Sequence, residues 1–193
     1  MALKLKTAPA VRPLTLAEVK AHCRVDSVDD DLQLDGLIDA AVTMLDGNSG
    51  AFGRCMIDQT WELYYDEFPH DDLHIPSGDV RQIESVEYVD ATTGLYVVWN
   101  VSNYETDLIS HPARIVPING WPAHMTTTNA TRVTFVAGFG ASASDVPMAI
   151  RQAMLMLIGH WYENREATIA GVTSSPVPFA VEALLAPFRR VPV

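Results

Sequence analysis

The sequence predicts an α+β fold: a mainly helical bundle core with an inserted small antiparallel β module and an extended C-terminal arm. Three observations carry this reading. Asp145 to Ala167 holds a long apolar segment at helical period. From about Thr60 to Ala137 the period shortens to strand alternation. Helical patterns then lie on both sides of that stretch. The implied division is 1–56 for an N-terminal arm and two core helices, 57–140 for the β-rich module, 141–170 for the long core helix, and 171–193 for a linker, a short helix and a tail.

Residues 1–14 hold two prolines and little periodicity, so they read as an arm. At Thr15 a helix starts. Thr15-Leu-Ala-Glu18 has capping-box spacing, in which the threonine oxygen serves the third helical N–H and the glutamate reaches back. Leu16, Val19 and Cys23 face one way, and the helix ends near Arg24. Asp29-Asp30-Asp31 reads as an N-cap and an acidic first turn suited to the helix dipole. A cation site is the less favoured reading, because the DxDxDG pattern is missing. The helix that follows runs to about Asp46 with Leu34, Leu37, Ile38, Ala41 and Leu45 as its stripe, and Gly47 stops it. Gly47 to Arg54 is glycine-rich. It follows a helix and lacks a Gly-Lys-Ser/Thr ending, so a flexible connector is preferred over a phosphate cradle.

Trp61, Leu63 and Tyr65 alternate with Glu62 and Tyr64, as in a strand with one buried face. Val80 to Val89 and Leu95 to Trp99 flank turn chemistry at Asp90 to Gly94 and predict a hairpin. Tyr104–Leu108 and Arg114–Val116 are short candidates, and Thr131 to Ala137 is the last strand. Ala141 to Ser144 leads into the long helix. Asp145 is expected to cap it and Pro147 to sit in its first turn. Ile150, Ala153, Met154, Leu157, Ile158 and Trp161 recur at helical spacing. Met148, Leu155, Met156 and Tyr162 make the opposite side apolar as well. A helix apolar nearly all round needs cover nearly all round, so these four residues are candidates for contact between subunits. Beyond a second linker at Gly171 to Pro178, Phe179 to Ala186 reads as a short amphipathic helix. Phe188-Arg189-Arg190 opens a basic, apolar tail, read either as a docking peptide or as a strap on its own subunit.

The chain has 193 residues, 48% hydrophobic, with a formal net charge of -11. That size supports a core without staples. The charge argues against binding that neutralises phosphates, although DNA could slide past an acidic wall without sticking. Cys23 and Cys55 form no CxxC pair and read as reduced thiols. The start lacks the apolar region of a signal peptide, and no run approaches the ~20 residues that span a bilayer. The expectation is a soluble protein of a reducing cytoplasm, with Asn100 and Asn129 in chance glycosylation patterns.

No nucleophile with its base, paired carboxylates or repeated ligand set is evident. His160 and Glu163 stand at i and i+3, a spacing some metal sites use. There is no second copy, and a polar break at a helix end explains the pair as well. The loop Glu67-Phe-Pro-His70-Asp71-Asp72 reads as a solvated turn rather than a cation site. Gly138 and Gly140 follow a strand without the rest of a dinucleotide fingerprint. No catalytic, cofactor-binding or metal residue is assigned, and no cofactor is expected.

Several motifs in order carry a resemblance. They are Thr15-Leu-Ala-Glu-Val-Lys-Ala-His22, Arg24-Val-Asp26, Gly53-Arg54, Gln59-Thr60-Trp61 and Gly120-Trp-Pro122. Val133-Thr-Phe-Val-Ala-Gly-Phe-Gly140, Val146-Pro147, Tyr162-Glu-Asn-Arg-Glu166 and Pro178-Phe179 follow, and Glu182-Ala-Leu-Leu-Ala-Pro187 completes the set. In this order and spacing they resemble the phage head–tail connector family, or head-completion adaptors, of long-tailed phages, prophages and gene transfer agents. The match covers nearly the whole chain. Cys23 departs from it where leucine is expected, a matter of core packing. The resemblance implies a non-enzymatic structural subunit of the virion or particle neck, assembled in a bacterial host cytoplasm. It implies a homo-oligomeric ring of twelvefold symmetry under the portal protein, a stopper or tail-side neck protein as the other partner, DNA passing through unread, and no membrane. It also implies portal docking by the C-terminal segment, assigned to Phe179, Leu184, Leu185, Phe188, Arg189 and Arg190. The competing expectations are another neck or tail component, such as a stopper or tail terminator, and a metal-dependent hydrolase using His160, Glu163 or the His70 loop.

Overall fold

The computed structural model describes residues 1–164 and 179–190. The chain divides into two compact units, Met1–Ala10 with Asp58–Gly138, and Val11–Ile57 with Phe139–Val193.

The first unit is built of strands: β1 (Ala2–Thr7), β2 (Gln59–Tyr65), β3 (Leu73–Ile75), β4 (Val80–Val89), β5 (Tyr96–Val98), β6 (Tyr104–Asp107), β7 (Ala113–Pro117) and β8 (Thr131–Ala137). They form a five-stranded antiparallel sheet, ordered β1-β2-β8-β4-β5, and a three-stranded one, β3-β7-β6. Alternation sorts the faces. Leu63 pairs with Val133, which pairs with Val86, and all three are fully buried. On the other face Glu62 meets Lys6 and accepts from the Tyr64 hydroxyl at 2.7 Å, while Arg132 binds Glu87 and lies over the Tyr96 ring. In the small sheet Leu73 sits opposite Ile115 and Ile75 opposite Ala113, all buried. Phe68 stacks on Trp121 at 4.4 Å and Trp99 on Tyr104 at 5.2 Å, so four aromatic side chains pack in this unit. The β4–β5 turn is closed by Asp90, whose Oδ1 accepts from the N–H groups of Thr92 and Thr93.

The second unit holds α1 (Leu16–Cys23), α2 (Asp31–Leu45), α3 (Met148–Glu163) and α4 (Phe179–Leu185). Thr15 and Glu18 form the predicted capping box. The shared core draws Val19 from α1, Leu34, Ile38 and Leu45 from α2, Ile150, Met154, Leu157 and Ile158 from α3, and Val181 and Leu185 from α4. Gly47 follows α2 at φ 81°, the left-handed conformation that ends helices.

The structure corrects several expectations. The fold is not a mainly helical bundle: among the described residues eight strands in two antiparallel sheets stand against four short helices. A helix of 15 or 16 residues repeats its apolar period several times, whereas three-residue strands such as β3 and β5 repeat nothing, so periodicity overweights helices. The supposed N-terminal arm begins as strand β1, in which Leu3 and Leu5 alternate with Lys4 and Lys6. Helix α3 starts at Met148 with Pro147 as its cap residue. The Asp145 carboxylate instead accepts from the Ser142 N–H at 2.9 Å and its hydroxyl at 2.7 Å, closing the turn before the helix. Asp30 occupies the cap position of α2 without a side-chain capping bond. Residues 165–178, where the end of the long helix and the second linker were expected, lie outside the described residues.

Candidate functional site

The expected docking segment lies largely on its own unit. In α4 Val181 and Leu185 enter the core, and Leu184 and Phe188 pack against it. Phe188 meets Phe139 edge-on at 6.3 Å, and the Arg190 N–H donates to the Phe52 carbonyl at 3.0 Å. Phe179, 85% exposed, and Arg189 remain at the surface. The segment thus straps onto its own unit and leaves Phe179 and Arg189 outside.

The four residues expected between subunits divide similarly. Met148 is 68% exposed. Leu155, Met156 and Tyr162 are half-buried against the unit's own core, and the Tyr162 hydroxyl donates to Asp30 Oδ2 at 2.6 Å. The opposite side of α3 is therefore covered in part by this chain itself.

The α1–α3 contact is electrostatic as well as apolar. Arg151 bonds Glu18, and its Nε donates to the Pro13 carbonyl at 3.2 Å. The Glu18 carboxyl is held below the usual range, first by the Thr15 N–H, then by the Thr15 hydroxyl and the Arg151 charge, against opposing burial. Burial pushes the Cys23 thiol up, and Glu163 adds to the rise.

The residues of the competing expectations are not brought together. His160 Nδ1 lies 3.3 Å from the Asn164 side-chain nitrogen, and Glu163 is exposed. His70 is exposed, the Asp71 carbonyl accepts from the Trp121 indole, and Asp72 pairs with Arg114 at 3.1 Å. Among the described residues no three His, Cys, Asp or Glu side chains converge as a ligand set. In the glycine-rich loop the N–H groups of Gly47, Gly50, Ala51 and Gly53 donate to carbonyls of the chain itself, so these four are not turned to a phosphate. Among the described residues no helix is long and apolar enough to cross a membrane.

One surface was missed by sequence reading. Val28, before α2, and Leu32, Gly36, Ala40 and Met44 within it are all exposed, Leu32 at 87%. The signal is a four-residue spacing that runs beside the buried stripe of the same helix.

No family model matches the chain, and no curated protein does. Solved structures do. The chain is similar to one from the neck of an empty gene transfer agent particle computed with C6 symmetry, at 26% identity and TM-score 0.76, covering 100% of this chain and 97% of that one. It is similar over the same shares to one from the neck of a native particle computed with C12 symmetry, at 25% identity and TM-score 0.71. A third, from the virion of a native gene transfer agent particle, shares the fold at 24% identity and TM-score 0.72. From end to end, then, this chain is similar to proteins of the gene transfer agent neck, in keeping with the head–tail connector family that its motifs resemble.

Proposed function

We propose that the chain is a structural subunit of the neck of a phage-like particle, a head–tail connector that sits as a homo-oligomeric ring between the portal protein and the tail-side neck protein. The similarity of the whole chain to a neck protein, at TM-score 0.76, carries this reading. Ring assembly is supported by the C6 and C12 symmetry with which the neck structures were computed. The net charge of -11 suits a passage that DNA traverses without adhering. Portal docking falls to the C-terminal segment. Phe179 and Arg189 make the contact there, and Leu184, Leu185, Phe188 and Arg190 hold the segment in place. Met148 leads the contact between subunits, with Leu155, Met156 and Tyr162 behind it. The role needs no catalysis.

The test is to delete the gene in a producing cell and image the particles. Filled heads without attached tails are the expected product, and supplying the chain in trans restores joining. Normal tailed particles from the deletion would refute the proposal. A Phe179→Asp, Arg189→Glu variant should fold but fail to bind purified portal; retained binding would remove the docking role alone. The sheet-rich fold favours one second reading, a stopper or tail terminator. In that case imaging would place the chain away from the portal.

A further inference from the structure

Helix α2 carries a row that its own core does not use. Leu32, Gly36, Ala40 and Met44 follow at four-residue steps, and residues so spaced form a ridge along a helix surface, with Val28 one step back, just before the helix. Val28 is 74% exposed, Leu32 87% and Met44 37%. Gly36 cuts a notch in the ridge. A Cβ there would meet nothing among the described residues within 4 Å, and its φ is not in the left-handed region. Glycine inside a helix is disfavoured by about 0.5–1 kcal/mol against alanine. Nothing in the packing of the described residues accounts for it, whereas close approach of another chain would.

Charge decides what kind of occupant fits. The next row of α2 holds Asp31, Asp35 and Asp39. Lys20 pairs with Asp31, and Arg12 pairs with Asp35 and Asp39. Two of the chain's own cations thus engage all three carboxylates of the rim, leaving one net negative charge there, and a chain of net charge -11 gives nucleic acid no purchase. A ridge from another protein is what remains, and this chain carries one that begins and ends on methionine. Met148, 68% exposed, begins a second four-residue row on α3 that continues through the half-buried Gln152 and Met156. Ridges of this type interlock at about -50° between helix axes. The two rows are different surfaces of one chain, so their pairing is head-to-tail, and head-to-tail pairing closes into a ring when the rotation permits.

We propose that the α2 ridge is the lateral docking surface for a second copy, whose Met148–Gln152–Met156 row seats in the notch at Gly36. The inference rests on the neck-ring reading. It is tested on the full chain in assembling particles. Gly36→Phe should not lower the thermal stability of the free chain, since the site is open and the helix loses a glycine, and should cut incorporation into particles by about tenfold or more. Leu32→Glu and Met148→Lys should each do the same, and the two together should regain most of the loss through the new ion pair. Normal incorporation of Gly36→Phe would overturn the proposal, and so would a double variant no better than the singles. Absence of the wild-type chain from particles would overturn the neck reading and the pairing with it. A wild-type chain present in particles, with insensitive variants, would overturn the pairing alone.

Discussion

Gly140 and Asp145 offer a stringent check on the turn that delivers the chain to α3. A Cβ added at Gly140 would fall well inside contact distance of Asp145 Oδ2, Cβ and Cγ. Gly140 does not have positive φ, so alanine suffers no backbone strain there and the effect is one of contact. Overpacking of this kind costs about 1–3 kcal/mol. Displacing Asp145 also forfeits its bonds to the Ser142 N–H and hydroxyl, a capping interaction of about 1 kcal/mol. Against this, replacing glycine by alanine stabilises by about 0.4–1 kcal/mol through the unfolded chain. The net for Gly140→Ala is a loss of about 2 kcal/mol. Asp145→Ala alone loses about 1 kcal/mol. In the double variant Asp145 Oδ2 and Cγ are gone while the contact with the Cβ of residue 145 remains, and the capping loss is counted once, so the loss should fall short of the sum of the two single losses. Urea unfolding followed by far-UV circular dichroism measures all three. Simple addition of the two single losses would refute the packing described for this turn.

Other perturbations have defined outcomes. Thr15→Ala removes the cap of α1 and should cost about 1 kcal/mol in the same assay. Glu18 has a depressed carboxyl pKa, so its contribution to stability is full above the usual carboxylate range and disappears as pH falls through the lowered folded-state value. The stability difference between wild type and Glu18→Gln should therefore be flat above pH of about 4.5 and shrink below it. Leu157→Ala, at a fully buried site on α3, should cost about 2–5 kcal/mol and lower the melting temperature.

The parts legible in the sequence were those with strong local chemistry. The Thr15–Glu18 box, the glycine after α2, the strand at β2 and the β4–β5 turn are all present in the structure, although in β2 Glu62 is buried beside Leu63 while Trp61 and Tyr65 are only half-buried. What escaped depends on partners distant in the chain. Strand β1 exists because β2 supplies the other half of its ladder, with Leu3 opposite Leu63, and no neighbouring residue announces that. Strands β3, β6 and β7 are three to five residues long and gain their identity from one another. The C-terminal segment shows the limit for sites. Its composition suited a docking peptide and a strap equally, and only its packing on Phe139 and Phe52 divides the anchoring residues from Phe179 and Arg189. The ridge of α2 has its spacing in the sequence but not its exposure, because apolar spacing says where oil lies and not which oil a fold leaves uncovered.

The edge position of β1 has a practical outcome for anyone trimming this gene. The first ten residues cap one margin of the five-stranded sheet, and they bring Lys4 and Lys6 to it. A product starting after Ala10 would leave the outer backbone of Gln59–Tyr65 raw, beside Trp61 and Tyr65, with no lysine to deter a stranger's strand. Such a shortened protein should keep its helices yet clump as it concentrates, and light scattering would register that before any loss of helical signal.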